Sequence, residues 1–125
     1  MVKKSKLWSP ERQDIIWIDC SPQSGQEMRN THPFLVLSPG GFNVKTALVI
    51  GLPMTTAVYN ADNPFAIDLG DVSKGKVNKR SYVLCHQPKS FDWRVRGAKA
   101  HPLGKLDNAL FVEVCDRLNQ IIQLK

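Results

Sequence analysis

Cysteine is scarce in this chain of 125 residues, with only Cys20, Cys85 and Cys115. The number is odd and the spacing suits no metal, which excludes a disulfide framework and a zinc module. The simplest reading is three free thiols in a reducing compartment. Long hydrophobic runs are also missing. No apolar stretch approaches the ~20 residues that cross a bilayer as a helix. The stretch Met1 to Lys6 lacks the apolar segment of a signal peptide. A cytoplasmic protein with no membrane partner is therefore expected. No repeat or low-complexity segment interrupts the chain. Acidic residues are few: eleven Asp+Glu stand against seventeen Lys+Arg, a formal net charge of +6. That balance favours an anionic partner, nucleic acid first, although a solvated basic surface gives the same number. The length fits one domain able to build its own core.

What is present is organised around Gly25 to Pro39, GQEMRNTHPFLVLSP. Its first half crowds Gln26, Glu27, Arg29, Asn30, Thr31 and His32 into a polar loop. Its second half, Phe34 to Leu37, is a continuous apolar run that predicts a strand buried on both faces. Pro33 between them pushes His32 towards an extended backbone. A reactive loop fastened to a rigid strand is a common way to position chemistry.

The remaining chain divides into short elements. Residues 1–12 read as a basic tail whose Trp8 packs on the domain or on a second subunit, and residues 13–125 as the single domain. Asp14 to Asp19, Thr46 to Leu52, Phe65 to Leu69 and Ser81 to Cys85 read as further strands, the second ending at Pro53. Ser38 is placed to cap a short helical turn that opens with Pro39. Thr55 and Thr56 follow a core strand, where they either face a ligand or bond their own backbone. Gly70 to Arg80 reads as a basic loop. Phe91 to Gly97, FDWRVRG, mixes aromatics with cations, as a nucleic-acid groove does. Its alternation also predicts a strand with Phe91, Trp93 and Val95 buried and the arginines exposed. From Ala109 onward, Leu110, Val114, Leu118, Ile121 and Ile122 fall at helical spacing behind Asp107, a good N-cap.

Together these segments resemble a known family. DIIWIDCSPQSGQE, HPFLVLSPGGFN, the strand ending LPMTT, and LCHQPKSFDWRVRGA occur in the order and at the spacing of the MazF/PemK-type toxins of bacterial toxin–antitoxin pairs. The resemblance implies a mainly β fold: a small, strongly bent antiparallel sheet forming an SH3-like barrel core, with short helices and a C-terminal amphipathic helix. It implies a homodimer that cuts single-stranded RNA at short sequences without a metal or other cofactor, and so inhibits translation and growth. It also implies a cognate antitoxin protein as partner. Glu27 matches a family acidic residue implicated in catalysis, and Thr55 an active-site threonine. Gln87, Lys89, Trp93, Arg94 and Arg96 match the segment that borders the RNA groove. Two positions depart from the pattern: His32 stands where the family usually has arginine, and His86 where it often has aspartate.

Cleavage of RNA by its own 2′-hydroxyl needs a base, an acid and donors for the charged phosphorane. Histidine titrates in the range such proton transfers require. The residues are therefore expected to act with Glu27 or His32 as base, His86 as acid, and Arg29 with Thr55 holding the phosphate oxygens. Each histidine also has a structural reading, in a loop for His32 and at a strand end for His86. Two other functions fit parts of the chain: a non-enzymatic toxin that binds DNA gyrase, and a degenerate domain that binds RNA without cutting it.

Overall fold

The structure, a computed structural model, describes residues 7–21, 30–71 and 80–123. Strand β1 is Asp14–Asp19 and β2 is Thr31–Val36, followed by helix α1, Gly40–Thr46. Strand β3 is Leu48–Thr55, and a 3-10 turn spans Val58–Asp62. Strands β4 (Ala66–Asp71), β5 (Arg80–Leu84), β6 (Lys89–Asp92) and β7 (Lys99–Lys105) come next. Helix α2, Asn108–Ile121, closes the fold. The pairings are antiparallel and the sheet order is β4-β5-β3-β2-β1-β7, with β6 also pairing β3.

The unbroken apolar runs have a direct cause, because this sheet is covered on both faces. Ile15, Leu35, Leu52, Met54 and Val83 meet Phe111 and Val114 of α2 in one cluster. Their chain neighbours Ile16, Ile18, Phe34 and Val36 point the other way and pack with Val49 and Trp93 in a second. Side chains alternate faces along a strand, so both parities must be apolar when both faces are buried. The backbones of β2 and β3 come close at Gly51, where an added Cβ would lie 2.1 Å from the Leu35 carbonyl oxygen.

Several expectations need correction. Strand β3 does not stop at Pro53 but runs on to Thr55. It pairs β6 through Leu48–Gly51 and β5 through Met54–Thr55. Pro53 cannot donate to a ladder, and it falls in the gap between these partners. The strand expected through Val95 ends at Asp92, whose Oδ1 accepts from the amides of Arg94 and Val95 (3.0 and 2.9 Å). That local side-chain bonding turns the chain away from the sheet, leaving Val95 82% exposed rather than buried.

Ser38 does not cap α1, whose N-cap Pro39 has no side-chain bond. Its hydroxyl instead bonds buried Asn43 and accepts from the Ile50 amide at 2.9 Å. Strand β7 had no sequence forecast. Its burial pattern is largely exposed, so it carries no apolar alternation to read. Asp107 does cap α2, accepting from the amides of Ala109 and Leu110.

The end of the expected basic tail belongs to the packed fold. Pro10 is fully buried, and its carbonyl accepts from Asn43 Nδ2 at 2.9 Å. Trp8 meets Trp93 edge-on at 5.9 Å between centroids.

Candidate active site

Glu27 and Arg29 lie outside the described residues, as do the lysines of the expected basic loop at 74, 76 and 79. The described residues on either side of the segment that carries Glu27 bond one another. The Cys20 amide donates to the Asn30 carbonyl at 2.9 Å, and the Asn30 amide donates to Ser21 Oγ at 2.9 Å. Asn30 takes φ of 70°, a left-handed conformation in which asparagine is among the favoured residues. Ser21 N–H donates to Asp19 Oδ1 at 2.9 Å. That bond, more than the nearby Arg96 charge, holds the Asp19 carboxyl below its ordinary pKa.

His32 is half-buried on β2, opposite Ile18 of β1. The last couple between β2 and β3 is Phe34 with Pro53. His32 precedes Phe34 by two residues on β2, and Thr55 follows Pro53 by two residues on β3. These two expected site residues therefore stand on neighbouring strands of the sheet. Thr55 Oγ1 accepts from the Ala57 amide at 3.1 Å. The backbone-bonding reading of this threonine is thus satisfied, while its hydroxyl hydrogen can still donate to a ligand.

His86 sits elsewhere, exposed in the turn between β5 and β6. Thr55 pairs Tyr82 of β5, which ends at Leu84, two residues before His86. Strand β3, which carries Thr55, pairs both β5 and β6, the two strands that the His86 turn joins. The His86 ring lies 6.0 Å from Phe65, and its Nε2 is 3.3 Å from Gln87 Nε2.

The groove-bordering residues separate into two kinds. Gln87 is half-buried beside His86, and Lys89 is half-buried on β6 opposite Gly51. Arg94 is exposed, its guanidinium 4.9 Å from the Trp93 ring centroid. Trp93 itself is not available for base stacking. It is 7% exposed, and its indole N–H is committed to the Asn43 carbonyl at 2.8 Å. A large ring with one polar handle gains more from burial when that handle is satisfied. Arg96, expected as an exposed groove cation, is half-buried and bonded to the backbone of residues 19 and 21. Sequence reading missed Asn43, the buried hub of this corner. A polar residue inside a short helix carries no signal of burial, since two of its partners, Pro10 and Trp93, are distant in sequence.

Cysteine chemistry is not offered by this site. Burial pushes the Cys20 and Cys85 thiols up to about 11, so both stay protonated at neutral pH. No described helix is long and apolar enough to cross a membrane.

The chain has clear relatives. Residues 11–122 match the family described as PemK-like, MazF-like toxin of type II toxin-antitoxin system. The endoribonuclease PemK of Escherichia coli is 31% identical over 113 residues, covering 90% of this chain and 81% of that protein. The endoribonuclease toxin MazF of Escherichia coli strain K12 is 36% identical over 89 residues, covering 71% of this chain and 74% of that one. Among solved structures, MazF from Deinococcus radiodurans superposes with a TM-score of 0.77 at 28% identity, over 94% of this chain and 99% of that one. The MazE–MazF complex from the same organism, in its second crystal form, gives 0.74 at 26% identity, over 94% of this chain and 99% of the matched one. The curled antiparallel sheet, the C-terminal helix and a family match across most of the sequence agree, and this chain belongs to the PemK-like, MazF-like toxins of type II toxin–antitoxin systems.

Proposed function

We propose that this protein is the toxin of a toxin–antitoxin pair, an endoribonuclease that cuts single-stranded RNA at a short sequence and so inhibits translation and growth. The observation that carries the reading is the family match over residues 11–122, joined to relatives that are named endoribonucleases. Those names favour a ribonuclease over the gyrase-binding alternative. A cognate antitoxin is the expected protein partner, as in the MazE–MazF complex of Deinococcus radiodurans. The toxin works in the cytoplasm, where its RNA is.

The chemistry is transfer of the phosphoryl group to the substrate's own 2′-oxygen. Glu27 or His32 takes the 2′-hydroxyl proton as the new P–O2′ bond forms. The P–O5′ bond breaks, and His86 supplies the proton that the leaving oxygen needs. The products are a 2′,3′-cyclic phosphate and a 5′-hydroxyl. Thr55, through its hydroxyl hydrogen, and Arg29 hold the non-bridging oxygens, where one preorganised donor contributes ~3 kcal/mol. What supports a joint role is that β2, carrying His32, pairs β3, carrying Thr55, and that His86 joins the two strands β5 and β6 that also pair β3. Gln87, Lys89 and Arg94 line the path of the flanking nucleotides.

Association as a homodimer would need an apolar surface to bury. A concavity of about 730 Å³, lined in part by Leu37, Phe42, Ile50, Leu118 and Ile122, offers one. The test of the function is end-mapping of cuts on a long single-stranded RNA. Cyclic or 3′-phosphate ends at a recurring short sequence are expected. Products with a 3′-hydroxyl exclude 2′-hydroxyl attack, and intact RNA leaves only binding.

A further inference from the structure

Arg96 invites a phosphate-binding role by its charge and by its place two residues beyond Arg94. Its surroundings describe another task. Both hydrogens of Nη1 are directed at backbone carbonyls, Asp19 O at 3.0 Å and Ser21 O at 2.7 Å. The guanidinium lies over the Phe91 ring at 4.5 Å to the centroid. The backbone joins in, since the Asp19 amide donates to the Arg96 carbonyl at 3.3 Å. Ser21 in turn holds Asn30 through its hydroxyl.

We infer that Arg96 is a positioning residue for RNA cleavage, the clamp that ties the exit of β1 to the entry of β2, the strand that presents His32. This rests on the ribonuclease reading above. One planar cation ties the exit of β1, and Ser21 and the Cys20 amide extend that tie to the entry of β2 at Asn30. His32, one of the two candidate bases, follows Asn30 by two residues on β2 and lies opposite Ile18 of β1, so the tie fixes the end of the sheet from which it acts. Arginine suits the task and lysine does not. The guanidinium presents paired hydrogens in a rigid plane that also stacks on an aromatic ring, whereas an ammonium is a point charge on a flexible stem. A misplacement of about 1 Å can cost ~10²-fold in rate without changing how substrate is held.

The experiment compares Arg96→Lys, Arg96→Ala and Ser21→Ala with the unsubstituted protein. It measures kcat and KM on a single-stranded RNA, RNA binding as a function of salt, and hydrogen exchange at the Cys20 and Asn30 amides. The clamp predicts that Arg96→Lys, which keeps the charge, loses at least ~10-fold in kcat with KM unchanged, following the cost of misplacement. The salt slope should stay constant, and the two amides should exchange faster. Ser21→Ala should lose less in kcat, in the same direction, and keeps the test open if an Arg96 variant does not fold. A phosphate contact predicts the reverse. In that case Arg96→Lys cleaves normally, while Arg96→Ala raises KM and flattens the salt slope by about 0.7. That pattern overturns the inference, as does unchanged kcat in all three variants. If the unsubstituted protein cuts no RNA, the ribonuclease reading fails by itself. The exchange rates then decide the clamp: faster exchange supports it, and unchanged exchange overturns it.

Discussion

Two polar corners border the same sheet and are built in opposite ways. In the corner formed by Asp19, Ser21, Asn30 and Arg96, the polar groups bond backbone and one another. Beneath it, Asn43 joins the chain at Pro10 to Trp93. In the other corner, the turn carrying His86 and Gln87, the histidine is exposed, with an aromatic ring and a side-chain amide beside it among the described residues. Residue type does not distinguish the two, since each offers cations, amides or imidazole to a nucleic acid. The difference lies in commitment. A polar group that already satisfies buried backbone is expensive to redirect, whereas an exposed one is available to a substrate.

The largest expected effect breaks the open corner alone. Replacing His86 with alanine should lower RNA cleavage by at least ~100-fold, the scale of a lost general acid. Unfolding free energy should stay within ~0.5 kcal/mol, as for other exposed positions. Cleavage undiminished in a folded variant would remove His86 from the mechanism.

The committed corner should fail the other way. Asn43→Ala leaves the Pro10 carbonyl and the Ser38 hydroxyl without their buried partner. Stability should fall by ~3 kcal/mol, read from the denaturant midpoint. A loss under ~1 kcal/mol would mean that this hub is not what secures the corner.

A smaller effect sharpens the contrast between the paired cations. Arg94 is exposed and placed on the Trp93 ring, so Arg94→Ala should weaken RNA binding several-fold. It should also reduce the salt slope by about 0.7 with little change in stability. An unchanged slope would show that Arg94 meets no phosphate.

The smallest effect concerns acid. The Asp19 carboxyl has a folded pKa below its ordinary 3.8, chiefly because the Ser21 amide donates to it. The unfolded chain binds that proton more readily, so the contribution is whole above about 3.8 and fades as pH falls through the folded value. Asp19→Asn should remove this part of the acid sensitivity and leave stability at neutral pH nearly unchanged. Matching acid-unfolding curves for the two proteins would discard it.

Legibility followed burial and locality. Strand β1 was read at its observed bounds because its apolar run is continuous, and α2 was read from its spacing and its Asp107 cap. Strand β7, mostly exposed, left no periodic trace. At the site, the two histidines and Thr55 stood out as residue types. Their relative placement did not, since Thr55 and His86 are placed by pairings of β3 with β5 and β6 that no local pattern encodes. Trp93 and Arg96 carried the composition of a nucleic-acid surface and turned out to hold the fold together at that edge.

By itself, the sequence determined a one-domain basic protein, the buried strands, the capped C-terminal helix and the family, because each is written in contiguous residues with local physical causes. Only the tertiary structure decided which polar groups are committed and which are open to RNA. That depends on partners such as Asp19 with Arg96 and Pro10 with Asn43, distant along the chain, whose hydrogen bonds exist only once the sheet has brought them together.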